Sequence, residues 1–219
     1  MAIADLDPYV TLDELKAYLS ITTSQWDDQL SDALDSASRE IEKYTNRQFN
    51  QDTVASPRIY DAEGPRYCDV DDFWTADSLV VQTGATYEIT WDPTDYELFP
   101  RNGITDGQPG WAFNQLRTAP LGNHWFGITG YQRWSGPNDI GNRYLMGYHR
   151  VQVTAQWGWA AVPSPVKQAC KIMAGATFQV KDAPFGVAGS DVWGTIRVKD
   201  NLMAMSKLDR YVREPVLVG

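Results

Sequence analysis

The sequence predicts an α+β protein, a frame of about four helices with a β-rich lobe inserted between the second and third. Three observations predict it. Apolar residues recur at three- and four-residue spacing near both ends of the chain. From Pro57 to about Gln156 the pattern changes to short alternating runs broken by Gly, Pro, Asn and Asp. The hand-over between the two regimes is visible at residues 151–181. There Val151, Val153 and Ala155 alternate with Gln152, Thr154 and Gln156, and beyond Gly158, Pro163 and Pro165 the apolar period becomes helical. The expected divisions are 1–56 and 158–214 for the two helical parts of the frame, 57–157 for the lobe and 215–219 for a C-terminal tail.

The first helix start is Val10-Thr11-Leu12-Asp13-Glu14-Leu15: Thr11 caps, Glu14 reaches back, and Val10 staples onto Leu15. Leu12, Leu15 and Leu19 form its stripe, and Ser20 to Thr23 break it. A second start pairs Ser24 with Asp27, and Trp26, Leu30, Ala33, Leu34, Ala37, Ile41 and Tyr44 give one apolar face over about five turns, roughly 30 Å. The opposite face carries Asp27, Asp28, Asp32, Asp35, Glu40 and Glu42, a solvated acidic face whose first acids suit the helix dipole.

Candidate strands are Arg58 to Tyr60, Tyr67 to Val70, Leu79 to Gln82, Thr86 to Thr90, Tyr96 to Phe99 and Val151 to Trp157, with Thr83-Gly84-Ala85 as a turn. Residues 101–150, rich in Gly and Pro and holding Trp111, Trp125 and Trp134, are expected to be ordered loops lying on the sheet. Ser164 is the expected cap of the third helix, with Pro165 at its first position and a stripe of Val166, Ala169, Cys170, Met173, Thr177 and Val180. A glycine-punctuated connection from Asp182 to Lys199 follows, with a short strand at Thr195 to Val198. Asp200 is the expected cap of a last helix with Leu202, Met205, Leu208 and Tyr211 or Val212 inward, ended by Pro215.

The 28 acidic against 19 basic residues give a net charge of -9, and the pI is near 4.6, the reverse of a protein built to grip phosphates. Hydrophobic residues make up 43% of the chain, enough for a real core. Cys68 and Cys170 read as reduced, buried thiols. The N-terminus lacks a basic signal-like region, and no apolar window reaches membrane length, so a protein made in a cytoplasm with no membrane partner is expected.

No catalytic residue, cofactor or metal site is assigned. His124 and His149 fall in no metal-ligand spacing, and no GxSxG, GxxxxGK[ST] or GxGxxG pattern occurs. Asp71-Asp72 and the group Asp92, Asp95, Glu97 could in principle flank a glycosidic bond, but Asp92-Pro93-Thr94-Asp95 reads as a turn whose acids bond their own backbone. Nine tryptophans raise the alternative of an aromatic-rich carbohydrate-binding module. Their distribution among helical, strand and turn positions favours packing.

Several stretches together resemble one family. VTLDELKAYLSI, an acidic cluster and EKYTNRQF stand at one end, Tyr96-Glu97-Leu98-Phe99-Pro100-Arg101-Asn102 in the middle, and VTAQWGWAAVPSPVKQACKIMAGATF followed by DAPFGVAG at the other. In order and spacing they resemble the head-to-tail connector, or adaptor, proteins of long-tailed bacteriophages. The resemblance implies a structural virion protein of the neck, not an enzyme, in a ring of about twelve copies beneath the portal. It also implies a tail-side neighbour (stopper or tail terminator) and DNA passing through the lumen without specific binding. An acidic channel wall would repel phosphates and leave them unsnagged. The resemblance places portal contact at the C-terminal end, hence at Arg210, Tyr211, Arg213, Val216, Leu217 and Val218.

Overall fold

The computed structural model describes residues 7–62, 64–105, 107–126, 150–180 and 201–214. The expected strand at 195–198, the connection at 182–199, the cap at Asp200 and the tail at 216–218 lie outside them. Among the described residues four helices and two main antiparallel sheets make the chain mixed α+β. Two units can be distinguished, one of residues 1–50 and 161–214, the other chiefly of residues 51–160.

In the helical unit, α1 (Leu12–Leu19) opens on the expected capping box. Thr11 Oγ1 accepts from Glu14 N and the Glu14 carboxylate accepts from Thr11 N. Val10 and Leu15 are both buried. The helix stops at Ser20 in the left-handed region. The start of α2 (Asp27–Thr45) differs from expectation: its N-cap is Trp26, with no side-chain cap bond, and Ser24 contributes only its carbonyl, to Asp27 N at 3.3 Å. Acids take over the terminus instead, since Asp27 and Asp28 lie in the first turn and Lys16 holds Asp27 at 2.6 Å. Leu30, Ala33, Leu34, Ala37, Ser38 and Ile41 bury the inner face, while Trp26 and Tyr44 sit at its half-buried margins.

α3 (Ser164–Val180) packs on α2 and α1 and buries Val166, Ala169, Cys170, Met173 and Ala174. Ser164 is its first residue, one position inside the expected cap, because Pro163 already supplies the first carbonyl, to Lys167 N. α4 (Leu202–Leu208) packs on α3 and is capped by Asn201, whose side chain accepts from Ala204 N. Its inward residues are Ala204 and Leu208, joined by Tyr211 in the 3-10 turn that follows. Of the expected stripe Leu208 and Tyr211 are inward, and the other two members are corrected: Leu202 is 78% exposed and Met205 only half-buried. With helix bounds one residue off and only seven residues, a three- or four-residue spacing selects a different face.

In the sheet unit, β1 (Ser56–Asp61), β9 (Arg150–Ala155), β3 (Val80–Thr83) and β4 (Ile89–Thr90) form one antiparallel sheet in that spatial order. β2 (Tyr67–Phe73), β8 (Phe113–Thr118) and β5 (Tyr96–Phe99) form a second, and β6 (Ile104–Thr105) and β7 (Gln108–Pro109) a small hairpin. Val151, Val153 and Ala155 turn inward at 0% exposure, as their alternation requires. They join Tyr60, Cys68, Val70, Phe73, Val81, Leu116, Phe126 and Trp157 in one core cluster. The expectation of loops alone across residues 101–150 is corrected by β8, the central strand of the second sheet. Only Leu116 is buried in β8, so the strand lacks the alternation that marks β2 and β9. The strand expected from Thr86 shortens to β4, Tyr87 taking a positive φ of 58° before it.

Candidate partner-binding surface

The C-terminal segment is built onto the end of α2. Arg213 N donates to Thr45 O at 3.1 Å, Asn46 Nδ2 to Arg213 O at 2.8 Å, and Arg47 Nε to Tyr211 O at 2.6 Å. Tyr44 Oη donates to Asp209 Oδ1 at 2.7 Å. Asn46 can terminate α2 with φ 51° because asparagine tolerates the left-handed region, and the turn presents these donors together. Tyr211 is 6% exposed, and burial pushes its hydroxyl pKa up. Tyr211 is thus a core side chain, the inward member of the expected Tyr211 or Val212 pair, and the segment up to Arg213 is hydrogen-bonded in place. Arg210 is exposed, its guanidinium 5.7 Å from the Tyr211 ring centre, and Arg213 is half-buried. Val216, Leu217 and Val218 lie outside the described residues.

Beneath this surface Tyr9 bridges α2 and the chain after it. Its N–H donates to Ser38 Oγ at 3.1 Å, its hydroxyl donates to Glu42 Oε1 at 2.7 Å, and the same oxygen accepts from Phe49 N at 3.2 Å. Burial raises the pKa of both partners, the Tyr9 phenol strongly, while the Tyr9 hydrogen bond and Arg39 pull Glu42 back down. Arg39 Nη1 lies 3.0 Å from Glu42 Oε2.

The carboxylates considered for chemistry are separately employed. Asp92 Oδ1 accepts from Thr94 N and Oγ1 at 2.9 and 2.8 Å, and these bonds hold its pKa down. The buried Asp95 accepts from Asp92 N and Asn123 N, organising the turn and the loop beside it. Asp71 pairs with Arg58 at 2.6 Å and takes the Tyr60 hydroxyl at 2.9 Å, while the buried Asp72 accepts from Trp159 Nε1 at 2.7 Å. Among the described residues no group of His, Cys, Asp and Glu could hold a metal ion. No helix among them is long and apolar enough to cross a membrane. Both cysteines are free and buried.

Among the described residues the tryptophans form no sugar-stacking row. Trp91, Trp111, Trp157 and Trp159 are buried, and Trp26 is half-buried with its ring edge-on to Phe178. Trp74 and Trp125 are exposed singly, Trp125 under the Arg66 guanidinium at 5.6 Å. His149, Trp134 and Trp193 lie outside the described residues.

One surface was not singled out from the sequence: the outer face of the second sheet. The pairing places Tyr67, Arg117 and Glu97 in one row and Asp69, Gln115 and Phe99 in the next. Arg117 lies 3.8 Å over the Phe99 ring and Arg101 5.0 Å from it. Arg117 Nε donates to Gln115 Oε1 at 2.5 Å, Gln115 Nε2 to Asp69 Oδ1 at 2.6 Å, and Arg101 Nη2 to Glu97 Oε2 at 2.5 Å. The available signal was polar and aromatic residues at every second position of Tyr96 to Phe99, but without β8 the cross-strand partners could not be known.

Residues 9–67 match the family model described as phage gp6-like head-tail connector protein, which covers α1, α2 and the entry into the sheet unit. The resemblance read from the residues is to this same kind of protein. No curated protein matches the chain. Among solved structures, a chain in the neck of an empty GTA particle, computed with C6 symmetry, is 17% identical, with 96% of this chain and 93% of that chain covered and a TM-score of 0.51. A chain in the virion of a native gene transfer agent (GTA) particle is 15% identical over 96% and 93% of the two chains, with a TM-score of 0.47. A third, in the neck of a native GTA particle computed with C12 symmetry, is 13% identical over 100% and 96%, with a TM-score of 0.47. The first of these shares the overall fold.

Proposed function

We propose that this chain is a head-to-tail connector of a phage or phage-like particle, a structural ring component beneath the portal that joins capsid to tail and lets DNA pass. The observation that carries the reading is the connector family match over residues 9–67, which covers both N-terminal helices. The fold shared with a chain of a GTA particle neck supports it. In this reading residues 1–56 and 158–214 are the frame and 57–157 the inserted lobe. Copies close head to tail into a ring of about twelve, a geometry that needs two different surfaces per copy. The net charge of -9 suits a channel that must not retain its polyanionic cargo.

Portal contact falls to the C-terminal end: Arg210 and Arg213 supply charge-assisted bonds to portal acids, Val216, Leu217 and Val218 supply apolar contact, and Tyr211 anchors the segment from inside. The opposite side of the ring meets a tail-side protein, a stopper or tail terminator. The test is to mix the purified chain with portal rings and image the product by electron microscopy. A coaxial collar on one end of the portal, with an open lumen, is expected. Portal rings that remain bare at saturating protein overturn the reading.

A further inference from the structure

Building on that reading, we infer that the outer face of the second sheet is one half of the contact between neighbouring copies, and that the acidic stripe of α2 on the next copy is the other half. The sheet face has interface chemistry, since Tyr, Phe and Arg are enriched where proteins meet. It is also pre-organised: Arg117 Cζ sits over the Phe99 ring at 3.8 Å and the side chain is tied through Nε to Gln115, so little side-chain freedom is left to lose on binding. Arg101 is already neutralised by Glu97. Arg117 is exposed and makes no ion pair among the described residues: Glu97 opposite it is taken by Arg101, and Asp69 is reached only through Gln115.

The matching surface is on α2. Asp28, Asp32 and Asp35 are spaced i, i+4, i+7 on one stripe, and all three are exposed. Neighbouring acids are occupied, Asp27 by Lys16, Glu40 by Lys43 and Glu42 by Arg39 and Tyr9, whereas Asp28 and Asp32 have no cationic partner among the described residues. A chain of net charge -9 repels its own copies at long range, so a face with an unmatched guanidinium is where another copy can approach. One such charge fits a carboxylate stripe and is too little for a polyanion, which needs several cations in register. Used in one direction by each copy, such a contact is heterologous and propagates around a ring.

The experiment uses the full chain and follows assembly by sedimentation velocity, alone and on portal rings, with thermal melts to confirm folding. Arg117→Glu and the double variant Asp28→Lys, Asp32→Lys are each expected to lose the assembled species, and Arg117→Gln to weaken it about tenfold. An equimolar mixture of the two charge-reversed proteins is expected to recover it, because copies that alternate restore opposite charges at every junction. Assembly of both reversed proteins at wild-type concentrations, or a mixture that stays unassembled, overturns the inference and leaves the connector reading standing. A wild-type chain that fails to assemble even on portal rings overturns both. Binding of a single-stranded DNA oligonucleotide by the wild type that Arg117→Glu abolishes would assign the face to nucleic acid and overturn the inference.

Discussion

The Tyr211 ring meets the Phe49 ring edge-on, with centroids 5.7 Å apart and planes at 85°. Tyr9 approaches Phe49 in the same manner at 5.6 Å and 82°, so three rings from distant parts of the sequence share one cluster. Phe49 is 0% exposed and Tyr211 6%. Tyr211→Ala is therefore expected to cost about 3 kcal/mol, since removing a buried aromatic leaves a cavity as well as losing transfer energy. Chemical denaturation checks it. A change under about 0.5 kcal/mol would place Tyr211 outside the cooperative core.

Truncation after Glu214 separates fold from attachment. Because the chain up to Arg213 is already hydrogen-bonded to α2, losing the last residues should leave the melting temperature nearly unchanged and weaken portal binding severely. Three apolar side chains could contribute on the order of 4 to 8 kcal/mol before ordering costs. Retained binding together with a large drop in melting temperature would assign the tail to the core.

Met173, 1% exposed on α3, should not tolerate a charge. Met173→Asp buries a carboxylate with no partner and is expected to cost several kcal/mol, at least about 3, giving insoluble protein. A soluble variant with an unchanged melt would refute the packing.

Glu42 gives a pH dependence of defined sign. Burial raises its folded-state pKa above the ordinary 4.5, so the folded protein holds this proton more tightly than the unfolded chain does. The ionised carboxylate is a burden on stability above the folded pKa, and the burden is lifted as pH falls through that pKa to the ordinary 4.5. Measured as wild type minus Glu42→Gln, stability should therefore rise on acidification from neutral pH. A difference that falls instead would mean that Arg39 and Tyr9 overcompensate the burial.

The helices were legible because their signals are local. The Thr11 and Glu14 capping box and the 3.6-residue stripe of α2 depend on neighbours within one or two turns. β9 was legible for the same reason, its alternation of Val151, Val153 and Ala155 being complete. β8 was not, since Asn114, Gln115, Arg117 and Thr118 give no apolar period and only pairing with β2 and β5 makes them a strand. The arginine and phenylalanine platform was hidden with it. Tyr211 was legible as an inward residue from its spacing after Leu208, but its partners Phe49 and Arg47, more than 160 residues earlier, were not.

Each unit contains one buried free cysteine, Cys68 in the sheet unit and Cys170 in the helical unit. Burial pushes the Cys170 thiol up to about 11, and its sulfur lies 3.6 Å from Ser38 Oγ. The reactive thiolate is thus scarce at neutral pH and screened from reagents while the unit stays folded. Alkylation of the two thiols, resolved by peptide mass, becomes a pair of internal clocks: equal labelling rates would report units that open together, and unequal rates would show which one breathes first during assembly.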